Sequence, residues 1–426
     1  MLRPLQFLLI VLAGAVAPAY AQLIDLGPWT GAVTPHTAEI RMILTESRLT
    51  NLEVSKTKDF ARYVTYPQLA RKPTHALAMA HFSLSRLESD TSYFYRVKAG
   101  RIREYTSIGT FKTLPRAGHP SSFRFAFASG NMTGSKAGVF SEIRFQKPLF
   151  FLHLGNALNE TELPKDLEGW QNLHDLSYES FTQAELYRSV PLVYTWAGMD
   201  HGGAEAHQAY RNYLPHFPLP ADQPNESETA ADQLNPISQS FSVGRVRFIV
   251  LDTQTARTPS DGENPTMLGE WQWHWLESEL RAAALTYPII FIASSVPWHA
   301  SQAFSGPQDH WGFYPKERAR LRAWLKSEQI SGVSIVSGNG GVLALNISEG
   351  ELGNITELQS GIIDLRREPM IGKWSGGHLI PDSTEEFFGI VDIEDKRNEI
   401  TVTFRGMNQH GFERFQSSFT VPAESK

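Results

Sequence analysis

Polar residues follow the ends of several apolar stretches, at the places where a strand would end and a loop would begin. Asn131, Asn156 and Asn339 each end such a stretch in the pattern Gly-Asn, and Asp200 and Asp252 follow two further stretches. Ligands of α/β folds bind at the carboxyl ends of strands, so we expect these side chains to converge on one rim. An aspartate offers a metal ion negative charge, whereas an asparagine offers only a neutral oxygen. The three asparagines therefore decide whether this rim can do metal chemistry.

Histidines lie near the same predicted strand ends. Asp200 is followed directly by His201, with His207 six residues beyond it, and His153 precedes the second Gly-Asn. The spacing from His201 to His207 is not the four-residue spacing of a helical metal-binding pair. Asp200 and His201 remain weak candidates for a rebuilt site holding a single zinc or calcium ion, and the alternative is that these loop histidines face solvent.

The elements that must position these residues begin at Phe123. Six apolar runs, RFAFAS, PLFFLHL, PLVYTW, VRFIVLD, YPIIFIASS and GVSIVS, predict strands that are covered on both faces. Apolar residues three and four apart predict helices over GEWQWHWLESELRAAAL and PKERARLRAWLKSEQ, with Trp275, Leu276 and Leu280 as the buried stripe of the first. The segments FFGIVDIE and EITVTFRG predict a hairpin near the end of the chain.

The region before Phe123 has a different pattern. Short alternating stretches separated by turn residues run from about residue 25 to 114 and predict a small antiparallel sandwich. The stretch LESDTSYFYRV, with Tyr93 and Tyr95 on one face, resembles the corner and strand of fibronectin type III-like modules. We therefore expect a fibronectin III-like domain over 23–114, a linker over the Pro-, Gly- and Ser-rich 115–122, and a second domain over 123–422.

Charge and composition narrow the class of partner. The 426 residues include 39 Lys and Arg against 45 Asp and Glu, which gives a net charge of −6 with no long basic block. This argues against nucleic acid as a partner. The chain contains no cysteine, which excludes disulfides, thiolate metal sites and a cysteine nucleophile.

The first residues have the composition of an export signal. Arg3 precedes an apolar run, and Ala19-Tyr20-Ala21 stands before Gln22, which predicts a signal peptide over 1–21. The run is too short and too interrupted for a membrane anchor, so we expect no membrane span after cleavage. The absence of cysteine favours a bacterial envelope, either periplasmic or extracellular.

Motifs spread over the second region resemble the PhoD-like (alkaline phosphatase D) branch of the metallophosphoesterases. They are RFAFASGNMTGS, PLFFLHLGN, YRSVPLVYTW, AYRNYLPHFPLP, FSVGRVRFIVLDTQTAR, TMLGEWQWHWLESEL, SSVPW, DHWGFYPKER and VSIVSGNGGVLAL. The resemblance implies an α/β fold with a calcineurin-like domain of two stacked sheets flanked by helices. It also implies two metal ions, such as iron and calcium, that hydrolyse a phosphoester.

The metal-ligand motifs of that family are changed in this sequence. The resemblance implies Gly-Asp where Asn131 and Asn156 stand, and Ser-Gly-Asp-x-His where the chain has Asn339 and Gly341. The family's Tyr is Asn159, and a His often found before it is Leu158. Its Trp-Asp-Asp-His-Asp motif appears as Trp196, Ala197, Gly198, Met199 and Asp200, and its phosphate-binding Arg is Gln254, two residues after a retained Asp252.

These changes predict a dismantled metal centre, since two metal ions carry four or five positive charges that amides and alkyl groups do not balance. We expect no bound cofactor, little or no phosphoester hydrolysis, and a role in binding a small molecule, a phosphoester or an envelope protein. Two alternatives stay open. The chain is an active phosphoesterase with an altered metal site, or it is an envelope or adhesion module whose fibronectin-like part binds the partner.

Overall fold

The structure is a computed structural model and describes residues 24–71, 78–99, 105–218, 234–299, 310–347, 355–365, 377–380 and 385–423. The predicted signal peptide lies outside these ranges. The helices are α1 Gly138–Phe145, α2 Leu167–Glu179, α3 Phe181–Ser189, α4 Ala204–Tyr213, α5 Gly269–Ala284 and α6 Pro315–Ser327. A short 3₁₀ turn spans Trp311–Phe313.

The strands before the predicted linker are β1 Ile24–Gly31, β2 Ala38–Leu44, β3 Leu49–Ser55, β4 Val64–Leu69, β5 Ala78–Leu84, β6 Ser92–Ala99 and β7 Gly109–Lys112. Those after it are β8 Phe123–Ala128, β9 Phe151–His153, β10 Leu192–Tyr194, β11 Gln239–Val243, β12 Val246–Val250, β13 Ile289–Ser294, β14 Val333–Ser337, β15 Leu343–Ile347, β16 Thr356–Gln359, β17 Gly377–Ile380, β18 Phe387–Asp395, β19 Glu399–Asn408 and β20 Glu413–Pro422.

These strands form three sheets. The largest has the order β20-β19-β18-β8-β9-β10-β1-β2-β5, the second β11-β12-β13-β14-β16-β15-β17, and the third β4-β3-β6-β7. Strands β8, β9 and β10 run parallel, as do β12, β13, β14 and β16. The carboxyl ends of neighbouring parallel strands therefore lie at one edge of each sheet, as a shared rim requires.

Aromatic rings join the first two sheets face to face. The Phe125 ring of the largest sheet lies 5.1 Å from Phe248 and 5.3 Å from Phe291 of the second sheet, both edge to face. Helices α5 and α6 cover the outer face of the second sheet, and α1 to α3 pack on the outer face of the largest. The predicted α/β class is confirmed, and the stacked sheets place their strand ends along a common rim.

The sandwich predicted before the linker is divided between two sheets. Strands β1, β2 and β5 continue the largest sheet, because β1 pairs in parallel with β10 at Gly31 and Leu192. A Cβ at Gly31 would lie 2.7 Å from the Leu192 carbonyl oxygen, so glycine permits this approach. The Thr30 hydroxyl bonds to the Tyr95 hydroxyl, which donates to the Arg188 carbonyl at 3.0 Å. The domain boundaries remain a prediction, and the N-terminal strands are packed firmly against the rest of the chain.

Several element predictions agree with the structure. The hairpin near the end of the chain is confirmed by the pairing of β18 with β19, although a third strand, β20, extends it. Helix α5 buries Trp275 as predicted, but it also buries Trp273, whose indole donates to Glu317 on α6 at 2.6 Å. In the part of the chain that the structure describes, no helix is long and apolar enough to cross a membrane.

Candidate functional site

The predicted strand-end residues do meet at the shared rim. Asn131 follows β8, Asn156 follows β9 and Asn339 follows β14. The Asn131 amide N–H donates to the carbonyl oxygen of Asn156 at 2.9 Å, and the side chain of Asn156 contacts that of Asn339 at 3.0 Å. These three residues are each at most 1% exposed. The chemistry of the rim therefore depends on which groups the buried amides face.

Asn131 and His153 hold each other in one arrangement. The Asn131 side-chain NH₂ donates to the carbonyl oxygens of Met132 at 2.9 Å and Ala157 at 3.2 Å, so its oxygen faces Nε2 of His153 at 2.7 Å. Because that oxygen can only accept, Nε2 of His153 carries the proton, and its Nδ1 accepts from the Gly155 N–H. Burial lowers the pKa of His153 to about 3, which keeps the ring neutral. Both ring nitrogens are occupied, so His153 offers no lone pair to a metal.

Asn156 and Asn339 share an uncommon backbone conformation and a side-chain hydrogen bond. Their φ angles are 55° and 58°, in the left-handed region that asparagine tolerates better than most residues. Nδ2 of Asn339 donates to the carbonyl oxygens of Leu154 and Ser295, both at 2.8 Å, and its oxygen accepts from Asn156. A carboxylate at position 339 would place an oxygen against two carbonyl oxygens. This network requires an amide.

Asp200 stands where the resemblance implies the last acid of a Trp-Asp-Asp-His-Asp motif, and backbone groups surround it. One carboxylate oxygen accepts from the N–H groups of Ala157 and Leu158, both at 2.8 Å. The other accepts from Ala197 at 3.1 Å and from Asn156. Burial raises the pKa of Asp200 to about 6, against the opposing effect of these donors. Both oxygens are therefore committed to holding the turn after β9.

Asp252 is likewise saturated with donors and fully buried. One oxygen accepts from the Trp196 indole and from the N–H groups of Gln254 and Thr255, each at 2.9 Å. The other accepts from the Ile237 N–H at 2.9 Å and the Thr255 hydroxyl at 2.6 Å. Asp252 therefore organises the turn that follows β12 and connects it to the indole beside Asp200.

The remaining family positions add little ligand chemistry. Ala197 is buried, Gly198 is exposed, and Met199 donates its backbone N–H to Asn156. The Asn159 N–H donates to the Thr133 hydroxyl at 2.8 Å. Leu158 packs in an apolar cluster with Trp170, Leu173, Ala206 and Ala209, while Gly341 takes a φ of 70°. Positions that would carry acids or imidazoles under the family pattern here serve packing and turns.

The histidines considered for a rebuilt metal site each have a different structural role. His201 places its ring 5.1 Å from that of Trp196, and burial lowers its pKa. His207 was expected in a loop but lies within α4, with Nε2 3.1 Å from the Asn235 carbonyl oxygen. His153 is the last residue of β9, which the apolar run PLFFLHL predicts as a strand. His153 and His207 are both buried, so the alternative that these histidines face solvent is wrong for these two residues.

Gln254 stands where the resemblance implies a phosphate-binding arginine. Its side-chain NH₂ nitrogen is buried and has no hydrogen-bond partner. A neutral amide donor brings neither the charge nor the forked geometry of a guanidinium. This position therefore offers a neutral donor and no cationic group to pair with a phosphoryl dianion.

A second polar cluster beside the rim was not anticipated from the sequence. Glu357 of β16 accepts from the Ser337 hydroxyl at 2.5 Å and from the Trp298 N–H at 2.7 Å, and its other oxygen lies 2.7 Å from Nδ1 of His299. Burial alone would raise the pKa of Glu357, but these bonds outweigh it and lower the pKa. The cluster fixes the loop after β13. The sequence signal was a lone acid within an otherwise covered strand.

The donor set does not fit a pair of metal ions. Across the described ranges, no three His, Asp or Glu side chains come close enough together to hold one metal ion. The side-chain oxygens of the three asparagines all have donors already. That of Asn131 faces Nε2 of His153, that of Asn156 accepts from the Met199 N–H, and that of Asn339 accepts from Nδ2 of Asn156. Two divalent or trivalent ions at this rim would lack the anionic ligands that balance their charge.

Comparison with known proteins places this geometry in a family context. Residues 194–340 match the family model described as PhoD-like phosphatase. Alkaline phosphatase D of Bacillus subtilis (strain 168) is 25% identical over 344 residues, which are 67% of this chain and 57% of the relative. The chain thus spans little more than half the length of that curated relative.

Solved structures show the same fold. A structure of PhoD superposes with a TM-score of 0.74 at 20% identity and covers 96% of this chain and 92% of its own. A purple acid phosphatase from yellow lupin (Lupinus luteus) seeds gives a TM-score of 0.59 at 13% identity and covers 93% of this chain and 74% of its own. The resemblance to the PhoD-like phosphatases is confirmed in sequence and in fold.

Proposed function

We propose that this chain, which is similar to the PhoD-like phosphatases, is an exported protein that keeps the phosphatase fold. It has lost metal-dependent phosphoester hydrolysis and acts by binding. The stacked sheets and the helices on their outer faces match the solved phosphatase structures in fold, while the side chains at the rim differ from those that the resemblance implies. Such a pattern fits a protein whose scaffold is retained for recognition.

The observation that carries the proposal is the closed hydrogen-bond network at the rim. A hydrolytic metal site needs carboxylate and imidazole groups that point into a shared space with free lone pairs. Here Asp200 uses both oxygens on backbone N–H groups, and His153 uses both ring nitrogens. Opening this network for a metal would leave buried donors unpaired, at about 1–3 kcal/mol for each group.

The N-terminal strands support a further part of the proposal, that they form a fibronectin type III-like sandwich. Three strands, β1, β2 and β5, face a sheet of four, in the order β4-β3-β6-β7. The hydroxyl of Tyr93 accepts from the Glu88 N–H at 2.9 Å, five residues upstream, as a tyrosine corner does. We propose the boundaries 23–114 for this module, 115–122 for the linker and 123–422 for the phosphatase-like domain.

The proposed export rests on the first 21 residues. Their composition is that of a cleavable signal, and we propose cleavage after Ala21. Expression of the full chain in a bacterial host, followed by fractionation and N-terminal sequencing, tests this. A mature N-terminus at Gln22 in the periplasm or medium agrees with the proposal. A full-length chain retained in the cytoplasm contradicts it.

Metal content measured together with turnover tests the loss of hydrolysis. The purified mature protein is incubated with iron, calcium, zinc and manganese, then dialysed, and bound ions are counted by mass spectrometry. Turnover of bis-(p-nitrophenyl) phosphate is followed in parallel, with the Bacillus relative prepared in the same way as a positive control. We expect no retained ion and no turnover above that of an N156A/D200A variant.

Two other outcomes would each reject the proposal in a recognisable way. Two retained ions with turnover would mean an active phosphoesterase with an altered metal site. One retained ion whose removal by chelator abolishes turnover would identify a rebuilt mononuclear centre. In that second case a D200N variant should lose the ion, whereas N398D, at an exposed position, should keep it.

A further inference from the structure

A cleft separate from the rim lies between the N-terminal strands and the rest of the chain. Its volume is about 500 Å³, and strands β6 and β7, the beginning of β8, the turn after α1 and residues 189–191 line it. Binding sites for small molecules typically have volumes of roughly 300–1,000 Å³ and often lie between domains. The cleft therefore has the size and position of a ligand site.

Four basic side chains line this cleft. Arg124, Arg144, Lys147 and Lys112 line it, and Asp90 is the one carboxylate among the described lining residues. Arg124 pairs with Asp392 at 2.6 Å, Arg144 with Glu185 at 3.2 Å and Lys112 with Asp90 at 2.6 Å. Lys147 is exposed and pairs with none of the described carboxylates. One uncompensated cation thus stands beside two arginines.

The two arginines keep donors outside their ion pairs. Arg124 uses Nε for Asp392 and Nη1 for Gln146, and Arg144 uses Nη1 for Glu185. Nε of Arg144 is buried and has no hydrogen-bond partner. Because Nε is shielded by protein atoms, the donors that a ligand in the cleft can reach are the terminal guanidinium nitrogens that these bonds leave unused. An oxyanion in the cleft would supply acceptors to these nitrogens.

The backbone of Lys147 is held in an unusual conformation. Its φ is 52°, in the left-handed region, although it is neither Gly nor Asn. The turn is closed by a 3.1 Å bond from the Lys147 N–H to the Arg144 carbonyl oxygen. A lysine in this conformation costs of order 1 kcal/mol relative to glycine. This left-handed turn commonly follows a helix C-terminus, and here it brings Lys147 into the lining of the cleft.

Apolar side chains also line the cleft. Phe94 of β6 is half-buried, and Phe123, Leu149, Val190 and Pro191 contribute further apolar surface. Cationic donors and aromatic surface in one cleft match a ligand with an anionic head and a flat apolar body. Inorganic phosphate alone would leave the apolar walls without a partner.

We propose that this cleft binds a small organic oxyanion with a flat apolar body, such as an aryl phosphate or an aryl carboxylate. Lys147, Arg124 and Arg144 hold the oxyanion, and Phe94 packs on the body. The site is independent of the rim between the stacked sheets. Since its walls come from β6 and β7 as well as from β8 and α1, an occupant bridges the N-terminal strands and the phosphatase-like part.

Isothermal titration calorimetry on the mature protein tests the proposal with four probes: 2-naphthyl phosphate, 2-naphthoate, 2-naphthol and inorganic phosphate. We expect one or both naphthyl anions to bind with a micromolar Kd and at least tenfold more tightly than naphthol or phosphate. Raising the salt from about 0.05 M to 0.5 M should weaken binding severalfold, since charge pairing carries part of the affinity. Equal binding of naphthol and the anions, or no binding of either anion, would overturn the proposal.

Three variants locate the site. K147Q should weaken binding of the naphthyl anions about tenfold, which corresponds to about 1.4 kcal/mol of binding free energy. K147G should weaken them equally while leaving the melting temperature unchanged or higher, because glycine suits the positive φ. F94L should weaken the naphthyl anions and leave inorganic phosphate unaffected. K58Q, at an exposed lysine outside the cleft, is the matched control and should bind as the parent does. Binding by K147Q and K147G equal to that of K58Q would place the ligand elsewhere.

The probe set also separates this proposal from the proposed loss of hydrolysis. If 2-naphthyl phosphate is hydrolysed, fluorescent 2-naphthol appears and the loss of hydrolysis is disproved. The 2-naphthoate titration still tests the cleft in that case, because a carboxylate cannot be hydrolysed. Conversely, an intact phosphate probe that fails to bind, together with naphthoate that fails to bind, rejects the cleft alone.

Discussion

Nδ2 of Asn156 donates a 3.0 Å hydrogen bond to Oδ1 of Asn339, and this bond joins the two stacked sheets at their shared rim. The residues are 183 positions apart in the chain, one after β9 of the largest sheet and the other after β14 of the second. The resemblance implies a metal pair at this junction. In this protein an amide pair connects the sheets, with backbone carbonyls on either side of it.

Restoring an acid at position 339 should destabilise the protein. In N339D a carboxylate oxygen would face the carbonyl oxygens of Leu154 and Ser295, and two hydrogen bonds would be lost. We expect the free energy of unfolding to fall by about 2–4 kcal/mol, measured by urea denaturation. N398D is the control, because its side chain is exposed. An N339D variant as stable as the parent would show that the amide network is not required.

Two glycines in the changed motifs should respond very differently to alanine. Gly155 has a φ of 83°, and a Cβ there would lie 2.4 Å from the Ala197 backbone nitrogen, whereas no atom lies within 4 Å of a Cβ at Gly198. G155A should therefore lose about 3 kcal/mol or more of stability, and G198A should change it by at most about 0.5 kcal/mol. Thermal melts of both variants check this. Similar losses would mean that the turn after β9 adapts more freely than its contacts indicate.

The loss of folding stability at low pH should depend on His174. Its ring stacks 4.8 Å from that of Tyr213, and burial lowers its pKa to about 3. The unfolded chain takes up the proton near pH 6.5, so the stability from a neutral His174 is present above that pH and is lost as the pH falls toward 3. H174F should reduce this loss by about 1 kcal/mol per pH unit between pH 6 and 4. Urea titrations at several pH values measure it.

The control for this pH experiment is H274Q, since His274 is 73% exposed. The stability of H274Q should fall with decreasing pH as steeply as that of the parent. Asp200 acts in the opposite direction, because its pKa is raised to about 6, so its contribution is largest at low pH and is lost as the pH rises through 6. A parental slope in H174F would mean that His174 accepts a proton in the folded state.

The hydrogen bond between Tyr93 and Glu88 gives a test of the proposed N-terminal sandwich. Y93F removes the hydroxyl that accepts from the Glu88 N–H and leaves that part-buried donor without its protein partner. We expect a loss of about 1–2 kcal/mol, measured by thermal or urea unfolding. Y63F is the matched control, because Tyr63 is 50% exposed. Equal stability of the two variants would argue against a corner that stabilises the sandwich.

Local sequence patterns predicted much of the scaffold and the meeting of the strand ends. Helices α5 and α6 follow from apolar spacing, and the β18–β19 hairpin follows from the segments FFGIVDIE and EITVTFRG. The pairing of Asn131 with His153, or of Asn156 with Asn339, could not be predicted in this way, because it depends on contacts between distant strands. The burial of Trp273 was missed for a similar reason, since its partner Glu317 lies on α6.

The junction of β1 with β10 also limits how the chain can be divided experimentally. Removing the residues before the linker would delete β1 and leave one side of β10 without a neighbouring strand. It would also remove Trp29, whose ring stacks 4.1 Å from that of Tyr178, and uncover that aromatic surface. Open sheet edges beside bare aromatic surface promote aggregation. Loss of binding after such a truncation would thus report a damaged remainder, so the role of the N-terminal strands is better judged from point substitutions on their exposed faces.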